Sequence, residues 1–251
     1  MTGAMIGREP GSIRLVSYNI RKGLGTDRRR DPHRTLRVLA ALDPDIAVLQ
    51  EADLRLGPRP SAVPLAALKA SGLRPLDFDR TGVSLGWHGN AMLIRDGWTA
   101  TEIAHIDLPG LEPRGAISAL IDTPTGRLRV IGTHLGLLRR SRRGQQRALV
   151  AWLADQPRVP TVLAGDLNEW SPHRGLEILT QAMKVTVPGH TFHARLPVAP
   201  LDRVATRDLA LKGCGVRETP LGRRASDHLP IYADLILPGP APEALSGGTR
   251  P

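Results

Sequence analysis

The sequence predicts an α/β domain, and three observations support this prediction. Short apolar stretches alternate along the chain with segments whose apolar residues recur at helical spacing. Several of the apolar stretches end on a polar residue of a type that takes part in catalysis. With 251 residues, of which 41% are hydrophobic, the chain is long enough for one large core. We therefore expect one folded domain over residues 13–237, a flexible tail over 1–12 and a disordered tail over 238–251, which is rich in Pro, Gly and Ala.

The first predicted elements are a strand, a helix and a second strand. Residues 13–20 alternate well enough for a strand, which ends beside Asn19. Asp31-Pro32 is a suitable N-cap and first-turn pair, so a helix is expected from there until Asp43-Pro44 stops it. An apolar strand follows and ends at Glu51. Two strand ends in this part of the chain thus carry a polar residue.

A similar pattern continues in the middle of the chain. Asn90 comes directly before a short apolar strand, so its side chain is expected to face the same region. Residues 116–133 read as a hairpin around a Pro-Thr-Gly turn, and its second strand ends in His134. Arg114, just before the hairpin, is expected to point the same way. These residues extend the set of polar groups at strand ends.

The stretch 161–170 gives the most specific local pattern. Four residues read as a buried strand, and we expect Gly165 to turn the backbone and present Asp166 and Asn168 at the strand's end. A carboxylate and a carboxamide two residues apart share a face and can converge on one water molecule or phosphoryl oxygen. Asp and Asn after Gly are also ordinary turn formers. Trp170 follows closely and is a candidate for the wall of a pocket.

The remaining segments supply further helices, strands and charge. Helices are expected at 62–70 and 171–183, and strands at 201–205 and 231–236. The Arg-rich run 139–143 is predicted to be a loop before a helix, either a solvated basic loop or a clamp for a phosphate backbone or lipid headgroup.

Composition narrows the function classes. The formal net charge of +10 favours an anionic partner, although the basic residues are mostly arginine, which genomic base composition also produces. The single cysteine, Cys214, excludes an internal disulfide, a Cys/His zinc cluster and a redox pair. No signal-peptide core and no apolar run of transmembrane length is present, so we expect a cytoplasmic protein without a transmembrane segment, and a monomer.

The strand-end residues together predict metal-assisted chemistry. Glu51, Asp166 and Asp227 offer hard oxygen donors without a thiolate, which suits Mg²⁺ or Mn²⁺ better than zinc. A phosphoester bound to such an ion needs an attacking water, a group that orients it, and donors for the developing charge. The Asp227-His228 pair extends the same set.

Six short motifs in this order resemble the endonuclease/exonuclease/phosphatase superfamily, also called DNase I-like, and in particular its bacterial metal-dependent hydrolases. The resemblance covers nearly all of residues 13–237. It rests on Ser17-Tyr18-Asn19, Leu49-Gln50-Glu51, Thr133-His134-Leu135, Gly165-Asp166-Leu167-Asn168, Leu201-Asp202-Arg203 and Ser226-Asp227-His228. It implies a four-layer α/β/β/α sandwich with the site at the edge where strands of both sheets end.

The resemblance also implies a role for each matched residue. Glu51 would hold Mg²⁺ or Mn²⁺, with Asn19 binding metal or phosphate and Asp227 near the metal. Asp166 would activate the water and Asn168 would hydrogen-bond the phosphate. His228 would donate a hydrogen bond to a phosphoryl oxygen, and Asp202 would orient the His228 ring. His134 would stabilise the phosphate or protonate the leaving group.

The expected function is therefore a metal-dependent phosphodiesterase or phosphatase. Alternatives are a DNA endonuclease or abasic-site nuclease and, from a different class, a basic nucleic-acid-binding protein without catalysis. Asn90, Arg114 and Trp170 are the candidates for substrate contacts beyond the reacting centre. The sequence leaves the phosphoester open, whether a small molecule, a lipid headgroup or a nucleic acid.

Overall fold

The computed structural model describes residues 7–54, 57–69 and 71–239, which form twelve strands and four α-helices. The strands are β1 (Ile13–Asn19), β2 (Ile46–Gln50), β3 (Leu73–Pro75), β4 (Ala91–Arg95), β5 (Thr99–Leu108), β6 (Arg114–Thr123), β7 (Gly126–His134), β8 (Thr161–Asp166), β9 (Lys184–Thr186), β10 (Asp202–Arg207), β11 (Ala210–Val216) and β12 (Ile231–Ile236). The helices are α1 (Pro32–Ala40), α2 (Leu65–Lys69), α3 (Arg139–Ala154) and α4 (Pro220–Ala225). Most of the two predicted tails, residues 1–6 and 240–251, lies outside the described residues.

The strands form two six-stranded mixed sheets. The first has the order β11-β12-β1-β2-β4-β3 and the second the order β5-β6-β7-β8-β10-β9. The pairs β1–β2 and β7–β8 are parallel, and the other neighbours are antiparallel. The carboxyl ends of β1 and β8 meet, since Asn19 Nδ2 lies 3.0 Å from Asp166 Oδ2. We call this side of the molecule the Asp166 edge and the opposite side, where β1 and β2 begin, the Asp45 edge.

Three apolar clusters hold the layers together. Alternate residues of both sheets, such as Leu15 and Val162, point inward and form the cluster between the sheets. The outer face of the first sheet packs against α1 through residues such as Leu39, and the outer face of the second packs against α3 through Leu149. This is the helix, sheet, sheet, helix arrangement of the predicted four-layer sandwich, and the fold class is confirmed.

Two glycines lie where a neighbouring part of the chain is too close to leave room for a side chain. A Cβ on Gly132 would lie 2.5 Å from Val48 Cγ1 across the sandwich, so the sheets could not approach as closely there. Gly165 lies inside β8, and a Cβ there would lie 1.9 Å from the carbonyl oxygen of Thr133. The prediction that Gly165 turns the backbone before Asp166 is therefore wrong; the strand continues through it.

The predicted helix over 171–183 is also wrong, because tertiary partners take the backbone groups that a helix would use. Within this segment the chain forms a 3₁₀ turn only at Leu179–Gln181. The buried Arg203 guanidinium donates to the carbonyls of Glu169 and Ser171 at 3.0 and 3.1 Å. Gln146 from α3 donates to the carbonyl of Gly175 at 2.8 Å. These bonds hold an irregular loop against the second sheet.

Several other helices and strands also differ from the predictions. The Arg-rich run 139–143 forms the start of α3 rather than a loop before it, and α2 is shorter than the helix predicted over 62–70. Strands β3, β5, β9 and β11 were not predicted. No helix in the described part of the chain is both long and apolar enough to cross a membrane.

Candidate active site

Asp166 is the centre of a buried polar cluster at the edge named after it. Strand β8 ends on this residue, whose side chain is almost fully buried. Its Oδ2 lies 3.0 Å from Asn19 Nδ2 and 3.3 Å from His134 Nε2, while its Oδ1 accepts the backbone N–H of Asn168 at 2.9 Å. One carboxylate thus brings together residues from both sheets, since Asn19 ends β1 and His134 ends β7.

A second carboxylate and an imidazole complete the cluster. The antiparallel pairing of β10 with β8 places Asp202 directly opposite Asp166. Asp202 Oδ2 lies 2.9 Å from His228 Nδ1 and also accepts the Thr191 hydroxyl at 2.5 Å, while His228 Nε2 lies 3.6 Å from Asp166 Oδ2. Asp166, Asp202 and His228 offer donor atoms within 4.8 Å of one another, a spacing that suits a metal ion when the imidazole is neutral.

The two histidines have opposite pKa shifts. Burial alone would lower the pKa of His228, but the carboxylates of Asp202 and Asp166 outweigh it and raise the pKa to about 10. Burial lowers the pKa of His134 to about 4; the Asp166 charge opposes this effect and the Arg114 charge adds to it. At neutral pH the site therefore contains one imidazolium and one neutral imidazole, although both rings lie next to the same carboxylate.

Glu51 and Asp227 occupy a more exposed corner beside this cluster. Their side chains are 17% and 20% exposed, and each faces a basic residue of the turn after β1. Glu51 pairs with Lys22, and Asp227 Oδ2 lies 3.2 Å from Arg21 Nε. The Oδ1 of Asn19 accepts the backbone N–H of Arg21 at 3.1 Å. All three predicted metal ligands therefore contact the same short turn.

Two of the predicted site residues have strained backbones. Glu51 and Asn168 both have a φ of 52°, in the left-handed region that costs a residue other than glycine on the order of 1 kcal/mol. The Asn168 side chain is held by a hydrogen bond from Nδ2 to the carbonyl oxygen of Leu135 at 2.8 Å. Strain of this kind persists only where the surroundings hold the residue in place, and it is concentrated at functional sites.

A cavity of about 220 Å³ opens beside Glu51 and His134. Its other lining residues are Arg59, His88, Gly89, Glu112, Pro113 and Arg114. Arg114 therefore lies next to the site, as predicted, with its guanidinium 2.8 Å from the carboxylate of Glu112. The cavity wall carries both basic and acidic groups.

Asn90 and Trp170 contact other residues than Asp166. Asn90 is buried, donates from Nδ2 to the carbonyl oxygen of Gly115 at 3.0 Å, and so ties the two sheets together. Its Oδ1 has no hydrogen-bond partner among the described residues. Trp170 is exposed and packs edge-on against Phe192 at 6.1 Å between ring centroids. Phe192 in turn lies 5.1 Å from the ring of His228, which connects Trp170 to the cluster.

Four residues of this site were not predicted. Arg21 and Lys22 follow Asn19 directly, and a lysine in a chain whose basic residues are mostly arginine is a signal that was available. Thr191 and Phe192 lie in an irregular loop between β9 and β10, and their local sequence shows no catalytic pattern. Only the packing of that loop against Asp202 and His228 identifies them.

Known proteins resemble this chain over most of its length. The uncharacterized protein YbhP of Escherichia coli strain K12 is 27% identical over 245 residues, which cover 90% of this chain and 97% of the relative. An endonuclease/exonuclease/phosphatase structure from Beutenbergia cavernae DSM 12333 matches with a TM-score of 0.67 and 25% identity, over 93% of this chain and 73% of that chain. A mannosyl-6-phosphatase of Bacteroides thetaiotaomicron VPI-5482 has the same fold, with a TM-score of 0.68 and 18% identity, over 90% of this chain and 100% of that one.

The family comparison agrees with the six motifs. A model of the endonuclease/exonuclease/phosphatase family matches residues 16–228, which include every one of those motifs. The match covers more than half of the chain and includes strands of both sheets. The chain belongs to the endonuclease/exonuclease/phosphatase family.

Proposed function

We propose that the chain is a phosphoester hydrolase that requires a divalent cation, Mg²⁺ or Mn²⁺. The observation that carries this proposal is the buried Asp166 carboxylate, whose Oδ2 faces an amide and two imidazoles within 3.6 Å. Members of the family are hydrolases that act on phosphoesters, and a neighbour of the same fold is a mannosyl-6-phosphatase. This chemistry needs a base for water beside donors for phosphoryl charge, and the cluster contains both.

Asp166 is the proposed general base. Its Oδ1 is fixed by the N–H of Asn168, which leaves Oδ2 directed at the polar side chains where a phosphate would bind. A carboxylate held in this way can orient a water molecule and accept its proton as the water attacks phosphorus. Asn168 keeps a second amide N–H beyond its bond to Leu135, and we propose that this N–H contacts the phosphate.

His228 is the proposed donor to a phosphoryl oxygen. Its Nδ1 is bound to Asp202, so Nε2 is the atom directed toward Asp166 and the reacting centre. The raised pKa keeps this ring protonated at neutral pH, and a cationic donor stabilises the charge that develops on phosphorus oxygens. His134, whose pKa is lowered to about 4, suits a neutral hydrogen bond to the phosphate better than protonation of the leaving group.

Glu51, Asn19 and Asp227 are the proposed cation ligands. The donor set fits Mg²⁺ or Mn²⁺, because it consists of an amide oxygen and two partly exposed carboxylates, and these carboxylates already face the cationic side chains of Lys22 and Arg21. When bound, such a cation polarises the phosphoester and neutralises its negative charge. The protein supplies the base, the donors and the orientation.

The test is hydrolysis of an activated aryl phosphodiester with Mg²⁺ or Mn²⁺. We expect turnover that EDTA abolishes and added metal restores, and that Asp166→Asn or His228→Ala lowers by about 10²- to 10⁴-fold. Asp208→Asn is the matched control, since this carboxylate forms only surface ion pairs with Arg158 and Arg207 in the described residues. Turnover without metal, or equal losses in the control variant, would contradict the proposal.

The same assay with a substrate panel identifies the natural phosphoester. The panel comprises plasmid DNA, an abasic oligonucleotide, phospholipid vesicles, and small mono- and diesters. Cleavage of plasmid or abasic DNA ahead of the others would assign the nuclease alternative.

A further inference from the structure

Exposed apolar side chains are concentrated on the loops of the Asp166 edge. Of the nine large apolar side chains that are exposed in the described residues, six lie on these loops. They are 53% to 86% exposed and comprise Leu111, Leu137, Leu138, Trp170, Leu196 and Val198. Single exposed leucines are normal on a protein surface, but a set from four different loops at one edge indicates an interaction surface.

These residues form two groups that both adjoin the site. In the first, the backbone N–H of Leu137 donates to Glu112 at 2.9 Å, which brings the loop after β7 against the loop that carries Leu111. In the second, Val198 N–H donates to the carbonyl oxygen of Phe192 at 2.8 Å, and Trp170 packs on the Phe192 ring. His134 precedes Leu137 of the first group by three residues, and the ring of His228 packs on Phe192, which the second group contacts, so the cluster around Asp166 adjoins both groups.

Arg142 holds the two groups in a fixed relation. Its guanidinium, in the buried part of α3, donates to the carbonyl of Leu137 on one side and to Glu169 Oε2 at 2.9 Å on the other. Glu169 directly precedes Trp170. The two apolar groups are therefore parts of one structured rim rather than independent loop tips. We call these six residues the apolar rim.

The rim is continuous with a cluster of positive charge. Leu138 is the N-cap of α3, and the first residues of this helix include the exposed Arg139, Arg140 and Arg143, with no acid in the first turn. A helix N-terminus is already electropositive, so arginines there are unfavourable unless they face an anion. None of the three side chains makes a hydrogen bond or ion pair within the described residues, although the charges of Arg139 and Arg143 help to lower the pKa of Glu177.

An anionic lipid surface matches both features. Leucine and valine side chains gain nothing from contact with phosphate groups, whereas at a membrane interface they leave water for the acyl boundary. Single-stranded nucleic acid would instead require exposed aromatic rings for stacking, and Trp170 is the one such ring in the rim. Arginines beside the apolar groups add attraction to acidic headgroups.

We propose that the Asp166 edge docks onto anionic lipid bilayers through the apolar rim and the arginines at the start of α3. Docking in this orientation directs the site beside the two groups toward the membrane surface. The docking itself does not depend on the proposed function. Its consequence does, namely that a phosphoester in a lipid headgroup is presented to Asp166 and His228.

The test measures binding to vesicles by co-sedimentation, with native protein and with Asp166→Asn so that hydrolysis plays no part. The vesicles consist of phosphatidylcholine alone or mixed equally with phosphatidylglycerol. We expect binding to the mixed vesicles only, with an affinity that falls about tenfold in Leu137→Ser/Leu138→Ser. Arg139→Ala/Arg140→Ala should lower the affinity for these vesicles by about fivefold for each arginine replaced, and the affinity that remains should depend less on salt concentration.

Leu65→Ser is the matched control, because this residue is 50% exposed but lies on α2, away from the rim. It should bind like the native protein, and the leucine and arginine variants should keep their thermal unfolding midpoint and their turnover of a soluble aryl phosphodiester. Equal binding of rim and control variants, or binding to a single-stranded oligonucleotide without binding to vesicles, would overturn the proposal. Absence of phosphodiester turnover would contradict the proposed function alone, since vesicle binding does not depend on it.

Discussion

The two edges of the sandwich both bury charged groups, but they pair them differently. At the Asp45 edge the guanidinium of Arg14 forms two hydrogen bonds with Asp234, at 2.7 and 2.8 Å, and both side chains are 4% exposed. Asp45 accepts the backbone N–H of Arg14 and the Nε of Arg95 at 2.8 and 2.7 Å, and it also pairs with Arg8. Each buried carboxylate there faces at least one arginine.

At the Asp166 edge Glu169 pairs with Arg142, but the two carboxylates of the cluster, Asp166 and Asp202, have no such partner. Among the described residues, Asp166 and Asp202 pair only with histidines, amides, a backbone N–H and a hydroxyl. The Oδ1 of Asp202 is buried without a hydrogen bond. One end of the same two sheets thus pairs its buried carboxylates with arginines, while the cluster at the other end keeps a buried carboxylate oxygen without a hydrogen bond, at a cost in folding free energy.

The largest expected difference between the two edges is in how a substitution changes catalysis. Replacing Asp166 by Asn should lower kcat/KM for an aryl phosphodiester by about 10⁴-fold, because the proposed base is lost while the shape of the side chain is kept. Its free energy of unfolding, measured in urea, should stay the same or rise, since a poorly paired buried charge is removed. Activity within about tenfold of the native protein would show that Asp166 is not the base.

At the Asp45 edge we expect the opposite result, a loss of stability without a loss of activity. Asp234→Ala leaves the buried Arg14 without its carboxylate and should lower the free energy of unfolding by about 3–5 kcal/mol. Turnover per folded molecule should not change. The control is Arg14→Met combined with Asp234→Leu, which removes both charges and should recover much of the loss. A large fall in turnover per folded molecule would mean that the two edges are coupled.

An intermediate effect is expected for Asp202→Asn. The amide keeps a hydrogen-bonding group beside His228 but removes one of the negative charges that raise the pKa of this ring to about 10. Turnover should fall about hundredfold. Because the pKa of His228 falls, the protonated form is lost at lower pH, and the alkaline limb of the kcat profile should move to lower pH. An unchanged alkaline limb would remove His228 from the proposed role of cationic donor.

The smallest expected effect is on stability, for a partly exposed ion pair at the Asp45 edge. Arg8→Ala removes a partner of Asp45 that is 30% exposed, while Arg14 N–H and Arg95 remain. The free energy of unfolding should fall by less than about 1 kcal/mol, as for other partly exposed ion pairs. A urea titration beside that of Asp234→Ala measures the difference. A loss equal to that of Asp234→Ala would show that burial does not decide the contribution of these pairs.

Local features of the fold were predictable from the sequence. Asp31 caps α1 by accepting the N–H of Arg34 at 3.1 Å, and Pro32 is its first residue, as the Asp-Pro pair predicts. Strand β12 has the predicted bounds. Capping and short-range periodicity depend on neighbouring residues, so they are visible without a tertiary structure.

Features that depend on distant partners were not predictable. The segment 171–183 has helical periodicity, but Arg203 and Gln146 bind its backbone in another conformation. Thr191 is an ordinary residue in sequence and becomes relevant only because its hydroxyl donates to Asp202. The apolar rim is invisible for the same reason, since its members come from four loops that the sheets bring to one edge.

The sequence by itself determined which chemical groups follow the strands, and in what order, and this was enough to recognise the family. Only the tertiary structure decided their partners: Asp166 meets His134 and His228, whereas Glu51 and Asp227 face Lys22 and Arg21. The protonation of the two histidines was decided there as well. A pKa depends on burial and on charges a few ångströms away, and those distances exist only after both sheets have packed.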